Sequence, residues 1–268
     1  MHADDVRPTE PTRHGAYLCL TVRPGARPAV AGLPVPDLAG RLGLRNEFEP
    51  GGDHPPDAVA FLRGTGAIPA DIADPGLVSA GAIIHVASAR ADLVAEFCAA
   101  VIRLLGPANT PRILTRVVRP MSYTGTAMYN FAYAHRVLQQ PGPVMPNAFL
   151  IPLSKTQAWW EKDWMERHTY FLPRYDEAGR RLTDGHAQVA AAGIACIMRR
   201  FYTTAAQPAH RGEYDFVTYF ECADEDVARF CDVCAALRDV TRNPEWRFVR
   251  EGPTWCGRRV ATWAELFD

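Results

Sequence analysis

The chain has 268 residues, 48% of them hydrophobic, and a formal net charge of -1 at pH 7. That length suffices for one large domain or two smaller ones, each with its own core. The balanced charge predicts no basic face for nucleic acid or an anionic membrane surface, and no apolar run reaches the length of a transmembrane helix. The polar residues 1–12 lack the apolar core of a signal peptide, so we expect a flexible tail and a cytoplasmic protein.

The predicted elements alternate between strands and helices along both halves of the chain. In chain order they are a strand at 16–22, a strand and helix at 81–106, strands at 113–119, 148–153 and 193–202, a strand and helix at 214–240, and a strand at 254–262. Proline and glycine at 139–147 predict a linker, and turn residues within 173–185 predict a surface hairpin.

The two strand–helix segments resemble each other. Residues 94–98 read Val-Ala-Glu-Phe-Cys and residues 227–231 read Val-Ala-Arg-Phe-Cys, each inside an amphipathic helix that follows an apolar strand. Chance similarity between two amphipathic helices is the alternative, but the matching strands favour a duplication. We therefore predict an α+β protein of two repeats, with their sheets packed together and the helices outside.

The chain contains none of the phosphate-binding, zinc-protease or serine-hydrolase motifs. No two histidines have metal-ligand spacing, which disfavours a zinc site. A lone histidine can still bind haem iron, and small residues follow His186. An ordinary exposed histidine at a helix start remains the simpler explanation of His186 from residue types alone.

Two arginines interrupt the apolar strand at 193–202. Strand alternation puts Arg199 and Arg200 on opposite faces, both mostly apolar, so at least one guanidinium should need a buried anionic partner. A haem propionate, an anionic substrate or a structural carboxylate such as Glu221 would each serve. The tryptophan-rich segment 158–168 is typical of a core and could also wall a cofactor pocket.

Cys231 and Cys234 form a C-x-x-C within a predicted helix. The seven cysteines are odd in number, which favours reduced thiols over a disulfide framework. Buried small side chains explain the pair better than zinc or redox chemistry, which stays the alternative.

Four segments together resemble the C-terminal half of the chlorite dismutase-like haem proteins. They read FLIPLSKTQAWW at 149–160, GHAQVAAAGIACIMRRFY at 185–202, YDFVTYFEC at 214–222 and EGPTWCGRRV at 251–260. The resemblance implies two ferredoxin-like repeats forming a dimeric α+β barrel-type subunit, here 13–145 and 146–268, with haem b in the second. It also implies a homo-oligomeric ring, often a pentamer.

The resemblance also implies roles for individual residues. His186 corresponds to the axial ligand of the haem iron, and Arg199 to the arginine on the distal side of the haem. Lys155 corresponds to the lysine near the axial histidine. Trp159 and Trp160 correspond to the tryptophan pair beside the haem.

Three departures from the family pattern affect the expected activity. The span from Trp160 to His186 is long, which leaves His168 as an alternative iron ligand. The family's carboxylate partner of the axial histidine corresponds to a position near Arg242, where there is no acid, and this disfavours chlorite dismutation. Coproheme decarboxylases have a reactive tyrosine where this chain has Ile151 and a glutamine where it has Arg199, which disfavours that reaction.

The resemblance therefore implies a haem-dependent oxidoreductase acting on a small molecule such as peroxide, chlorite or an N-oxygenated compound. A non-catalytic haem-binding or haem-sensing protein is one alternative. A haem-free barrel that binds a small organic ligand is the other.

Overall fold

The computed structural model describes residues 13–47, 56–109, 111–118, 144–191, 197–203 and 213–268. Its strands are β1 Arg13–Leu20, β2 Arg45–Asn46, β3 Ala58–Ile68, β4 Ala82–Ser88, β5 Arg112–Val118, β6 Asn147–Lys155, β7 Arg174–Tyr175, β8 Arg181–Thr183, β9 Ile197–Thr203, β10 Phe216–Cys222, β11 Val249–Glu251 and β12 Thr254–Val260. Its α-helices are α1 Arg27–Ala31, α2 Val35–Arg41, α3 Pro75–Val78, α4 Ala91–Leu105, α5 Gln157–Trp160, α6 Trp164–Thr169, α7 Gly185–Ala191 and α8 Val227–Arg238.

Eight strands close into an antiparallel barrel. Their order is β10-β9-β5-β1-β4-β3-β12-β6, and β6 pairs with β10 to complete the ring. The short β11 extends the pairing of β6, and β2 adds a parallel partner to β3. Closure pairs the backbone N–H and C=O groups that the edge strands of an open sheet would leave exposed. The predicted α+β barrel architecture is confirmed.

Alternation along the strands divides their side chains between the barrel interior and its outside. The interior core includes Tyr17, Leu150, Tyr219 and Trp255, all of them buried. Outside, α4 covers β1 and β4 in the first half of the chain. The outer residues of β6 and β10 pack against buried side chains of α8 in the second half. The strand–helix units predicted at 81–106 and 214–240 are thus both present.

Strand β3 was not among the predicted elements. Its second half contains Gly64 and Gly66, which in the sequence resemble loop residues. A Cβ at Gly64 would lie 2.9 Å from the carbonyl oxygen of Gly81, so the glycine permits a close backbone approach inside the sheet. The register of the facing strand β12 also shifts between Cys256 and Gly257, next to this segment.

The predicted hairpin at 173–185 is confirmed as the two-stranded β7–β8 sheet. The predicted tail at 1–12 and most of the predicted linker at 139–147 lie outside the described residues, and the repeat boundary remains a prediction. Within the ranges that the structure describes, no helix is both long and apolar enough to cross a membrane.

Candidate functional site

The backbone at the start of α7 is held by four hydrogen bonds. The N–H groups of Asp184 and Gly185 both donate to the carbonyl of Arg242, at 2.9 and 3.0 Å. The N–H of His186 donates to Tyr170 at 3.2 Å, and that of the next residue donates to Phe171 at 3.1 Å. His186 is therefore positioned by two separate segments that meet at the helix start.

Gly185 is required for this arrangement. Its φ is +72°, a conformation that favours glycine, and a Cβ here would lie 2.4 Å from the carbonyl oxygen of Leu172. The Gly-His pair of the sequence thus reflects a tight contact between the helix start and residues 171–172.

The imidazole of His186 faces a carboxylate. Its Nδ1 lies 2.6 Å from Oε2 of Glu245, and its side chain is 20% exposed. The ring also packs near Phe171, with centroids 5.2 Å apart. A carboxylate at Nδ1 holds a proton on that nitrogen, which leaves the ligating lone pair on Nε2.

Glu245 also binds Lys155. The Lys155 ammonium donates to Oε1 of Glu245, so the carboxylate bridges the lysine and the histidine. The side chains of Lys155 and Glu245 are only 5% and 3% exposed. Lys155 Nζ lies 4.4 Å from the ring centroid of Trp159, and its backbone N–H donates to Asp215 at 2.7 Å. We call His186, Glu245 and Lys155 the His–Glu–Lys chain.

Charges within the His–Glu–Lys chain set the ionisation of the carboxylate. Burial by itself would raise the pKa of Glu245, but the attraction of Lys155 and His186 outweighs it and lowers the pKa to about 2. Burial lowers the pKa of Lys155, and Glu245 opposes that shift. Glu245 is therefore ionised at neutral pH and is a strong acceptor for the histidine proton.

The expectation that the histidine has no carboxylate partner is wrong. The partner is Glu245, three residues beyond the expected position, in the 3-10 segment Pro244–Phe248. Arg242 contributes its backbone carbonyl to α7, and its guanidinium binds Asp184 at 2.8 Å. Glu245 follows Asn243 and Pro244, so the sequence does contain an acid close to the expected position. That residue 245 and not residue 242 faces His186 depends on the geometry of the turn, which cannot be inferred from residue types.

The two tryptophans occupy different environments on α5. Trp159 is fully buried in a cluster with Phe171, Ala187 and Phe216. Trp160 is half-buried and stacks on Phe216, with ring centroids 6.3 Å apart. The core interpretation of the tryptophan-rich segment holds for Trp159, and the same cluster also flanks the helix that carries His186.

Arg199 lies in β9, where the pairing with β10 fixes the register of its backbone. It pairs with Phe220, while Met198 pairs with Glu221. Phe220 belongs to the outer face of β10, where the α8 cluster packs. Arg199 therefore holds a position on the outer face of the sheet, the side on which α7 and α8 also lie.

The carboxylate of Glu221 binds an arginine of β12. It accepts a hydrogen bond from Arg259 inside the barrel, where Arg259 also binds Glu47 at 2.8 Å. The register gives Glu221 and Arg199 positions on opposite faces of the sheet. A structural carboxylate that paired with Arg199 would therefore have to lie on the outer face of the sheet.

His168 lies on α6 and lacks the surroundings of His186. Among the described residues no carboxylate lies within ion-pair distance of its ring, whereas Glu245 lies 2.6 Å from Nδ1 of His186. A histidine without a carboxylate or carbonyl at its second nitrogen is less well oriented for a metal. The two candidate ligands therefore differ in a feature that the sequence did not show.

The C-x-x-C pair is only partly buried. Cys234 packs with Phe149 and Phe230, and burial raises the pKa of its thiol to about 11. Cys231 is exposed, which corrects the expectation that both are buried. The helical period directs 230 and 234 toward the barrel and leaves 231 outside.

Comparison with known proteins identifies the fold through solved structures. No family model matches the chain, and no curated protein matches it. The chlorite dismutase from Candidatus Nitrospira defluvii in complex with imidazole is similar, with a TM-score of 0.63, 19% identity, and coverage of 95% of this chain and 93% of that one. A mutant of that enzyme has a TM-score of 0.64 and 19% identity, with coverage of 95% of this chain and 94% of that one. Another mutant, in complex with cyanide, has a TM-score of 0.61 and 18% identity, with coverage of 95% of this chain and 93% of that one. The chain thus has the chlorite dismutase fold over nearly its whole length.

Proposed function

We propose that the protein binds haem b through His186 and is an oxidoreductase acting on a small oxygen- or nitrogen-containing molecule. Peroxide, chlorite and N-oxygenated compounds are the substrates that this proposal covers. The observation that carries it is the His–Glu–Lys chain, which presents a partly buried imidazole backed by a buried carboxylate, within a fold shared with chlorite dismutases.

The residues around His186 fit haem better than a bare metal ion. In the described residues, no group of three His, Cys, Asp or Glu side chains could hold an ion. Haem needs one protein donor and an apolar enclosure, and the buried cluster of Trp159, Phe171, Ala187 and Phe216 packs beside α7. The chemistry that haem supplies is the exchange of electrons with a small molecule at its iron.

Each member of the His–Glu–Lys chain has a defined part in this proposal. His186 would hold the haem iron through Nε2. Glu245 would hold the proton on Nδ1 and so favour electron donation from Nε2 to the iron. Lys155 offsets the charge of the buried carboxylate and fixes its position.

Glu245 also removes the sequence-based argument against chlorite dismutation. That argument depended on the absence of a carboxylate beside the axial histidine, and a carboxylate is present. We therefore retain chlorite among the candidate substrates. Ile151 has no hydroxyl at the position of the reactive tyrosine in coproheme decarboxylases, so that reaction stays disfavoured.

Arg199 is proposed as the distal residue, where its charge would stabilise an anionic ligand as charge develops. Its register position on the outer face of the sheet supports this role, as does the assignment of Glu221 to Arg259. By the same resemblance we propose a homo-oligomeric ring.

Haem titration of the purified protein tests the proposal. A Soret band that survives desalting should appear with wild type and with His168→Ala, and should be lost with His186→Ala. Loss of the band in His168→Ala alone would contradict the assignment of the ligand. Retention in both variants would contradict ligation by either histidine.

Turnover then separates an enzyme from a haem sensor. Arg199→Ala should keep the Soret band and lose most of the activity on whichever of peroxide or chlorite the wild type consumes. Arg200→Ala is the matched control, because its register partner Tyr219 lies on the interior face. Absence of turnover in haem-loaded wild type on every substrate class would contradict the enzymatic role.

A further inference from the structure

A separate pocket lies beside the segments that hold α7. Its volume is about 240 Å³. The apolar part of its wall is formed by Tyr170, Leu172 and Pro244. The polar part includes Glu166, Arg174 and Thr183. None of these six residues belongs to the His–Glu–Lys chain.

The hairpin builds the polar corner of this pocket. Arg174 of β7 pairs directly with Thr183 of β8, so the two side chains share one face of the hairpin. Arg174 forms no ion pair, and the Thr183 hydroxyl is buried without a hydrogen-bond partner, as far as the described residues go. A cation and a buried hydroxyl side by side form a receptor for an oxyanion, because each lacks a protein acceptor.

The remaining charge in the wall does not oppose an anion. Glu166 is already paired with Lys162, whose ammonium lies 2.5 Å from its Oε1. The pair is neutral as a unit, so Arg174 leaves the pocket with one net positive charge. The apolar wall and the volume add a second requirement, since a cavity of about 150 Å³ accommodates a benzene ring.

We propose that this pocket binds a small carboxylate that carries an aromatic ring, of the size of benzoate. The carboxylate accepts hydrogen bonds from Arg174 and Thr183. The ring lies against Tyr170, Leu172 and Pro244. The hairpin, which the proposed haem chemistry does not use, is thereby given a function.

The pocket is connected to the His–Glu–Lys chain through the backbone. Tyr170 accepts the hydrogen bond from the N–H of His186, and Pro244 directly precedes Glu245. A ligand that shifts these wall residues changes the orientation of the imidazole and its carboxylate. This coupling rests on the proposed function, whereas the binding site itself does not.

Calorimetric titration of benzoate into the haem-free, full-length protein tests the site. We expect saturable one-site binding that Arg174→Gln weakens at least tenfold and Thr183→Val weakens several-fold. Arg174→Lys keeps the charge but loses the fork of donors, so it should lie between wild type and Arg174→Gln. Benzamide, the neutral analogue of the same shape, should bind at least tenfold more weakly to wild type.

A control variant excludes other sites. Arg180→Gln removes an exposed arginine of the same hairpin that does not line the pocket, and should leave benzoate binding unchanged. The proposal is overturned if wild type shows no saturable binding at millimolar benzoate, or if Arg174→Gln binds as well as wild type.

The coupling is measured separately on the haem-loaded protein. Benzoate should shift the Soret band of wild type, with the same concentration dependence as the calorimetric binding, and the shift should vanish in Arg174→Gln. Benzoate that binds the pocket without moving the spectrum refutes the coupling and leaves the site. A protein that takes up no haem refutes the proposed function, and the calorimetric result still decides the site.

Discussion

Replacing Glu245 with glutamine isolates the charge of the bridging carboxylate. Glutamine keeps a carbonyl oxygen that can accept from His186, and it has nearly the same shape. What it removes is the negative charge that faces Lys155, whose side chain is 5% exposed. The substitution therefore leaves a buried ammonium without its counter-charge.

The expected loss of stability follows from the options left to Lys155. Breaking a buried ion pair by removing one partner costs about 3–5 kcal/mol. Lys155 can instead lose its proton, and for a lysine of ordinary pKa this costs about 5 kcal/mol at pH 7. Because burial already lowers the pKa of Lys155, loss of its proton in the folded protein costs less free energy than it would for an ordinary lysine. We expect Glu245→Gln to reduce the free energy of unfolding by about 3–4 kcal/mol.

Urea unfolding of the haem-free protein at pH 7, followed by tryptophan fluorescence, measures this loss. The double variant Lys155→Met/Glu245→Gln removes both charges and should recover most of the lost stability, because an apolar side chain then occupies the buried position. The reasoning is refuted if Glu245→Gln costs less than about 1 kcal/mol, the value of an exposed pair. A double variant less stable than Glu245→Gln alone would refute it equally.

The pH dependence of stability should report the same carboxylate. Its folded pKa of about 2 lies below its ordinary value of 4.5, so its contribution is complete above pH 4.5 and is lost as the pH falls toward 2. The difference in unfolding free energy between wild type and Glu245→Gln should narrow over that range, and a constant difference would contradict the shifted pKa. Gly185→Ala should destabilise far more than Gly179→Ala, although φ is +72° at one and +75° at the other, because only at Gly185 would the Cβ meet a backbone carbonyl. Gly179→Ala should cost about 1–2 kcal/mol and Gly185→Ala at least twice that in thermal unfolding, with equal losses contradicting the role given to the contact.

Local patterns in the sequence were enough to predict the repeated strand–helix units and the hairpin at 173–185. Alternation in strands and the helical period depend only on neighbouring residues, so 81–106 and 214–240 could be recognised without any knowledge of their partners. Strand β3 was missed for a related reason. Gly64 resembles a loop residue until the backbone that passes 2.9 Å from its missing Cβ is known.

Partnerships between distant residues could be decided only by the tertiary structure. Glu221 was a plausible partner for Arg199, but the pairing of β9 with β10 gives the two residues opposite faces, and β12 brings Arg259 to the carboxylate instead. The sequence showed no acid at the position expected to face His186, but a turn of the chain brings Glu245 to the imidazole, together with Lys155. Residue types show which groups need a partner in a low-dielectric interior, because burial of an unpaired charge is costly. Which group becomes the partner depends on strand register and turn geometry, and these exist only once the barrel has closed.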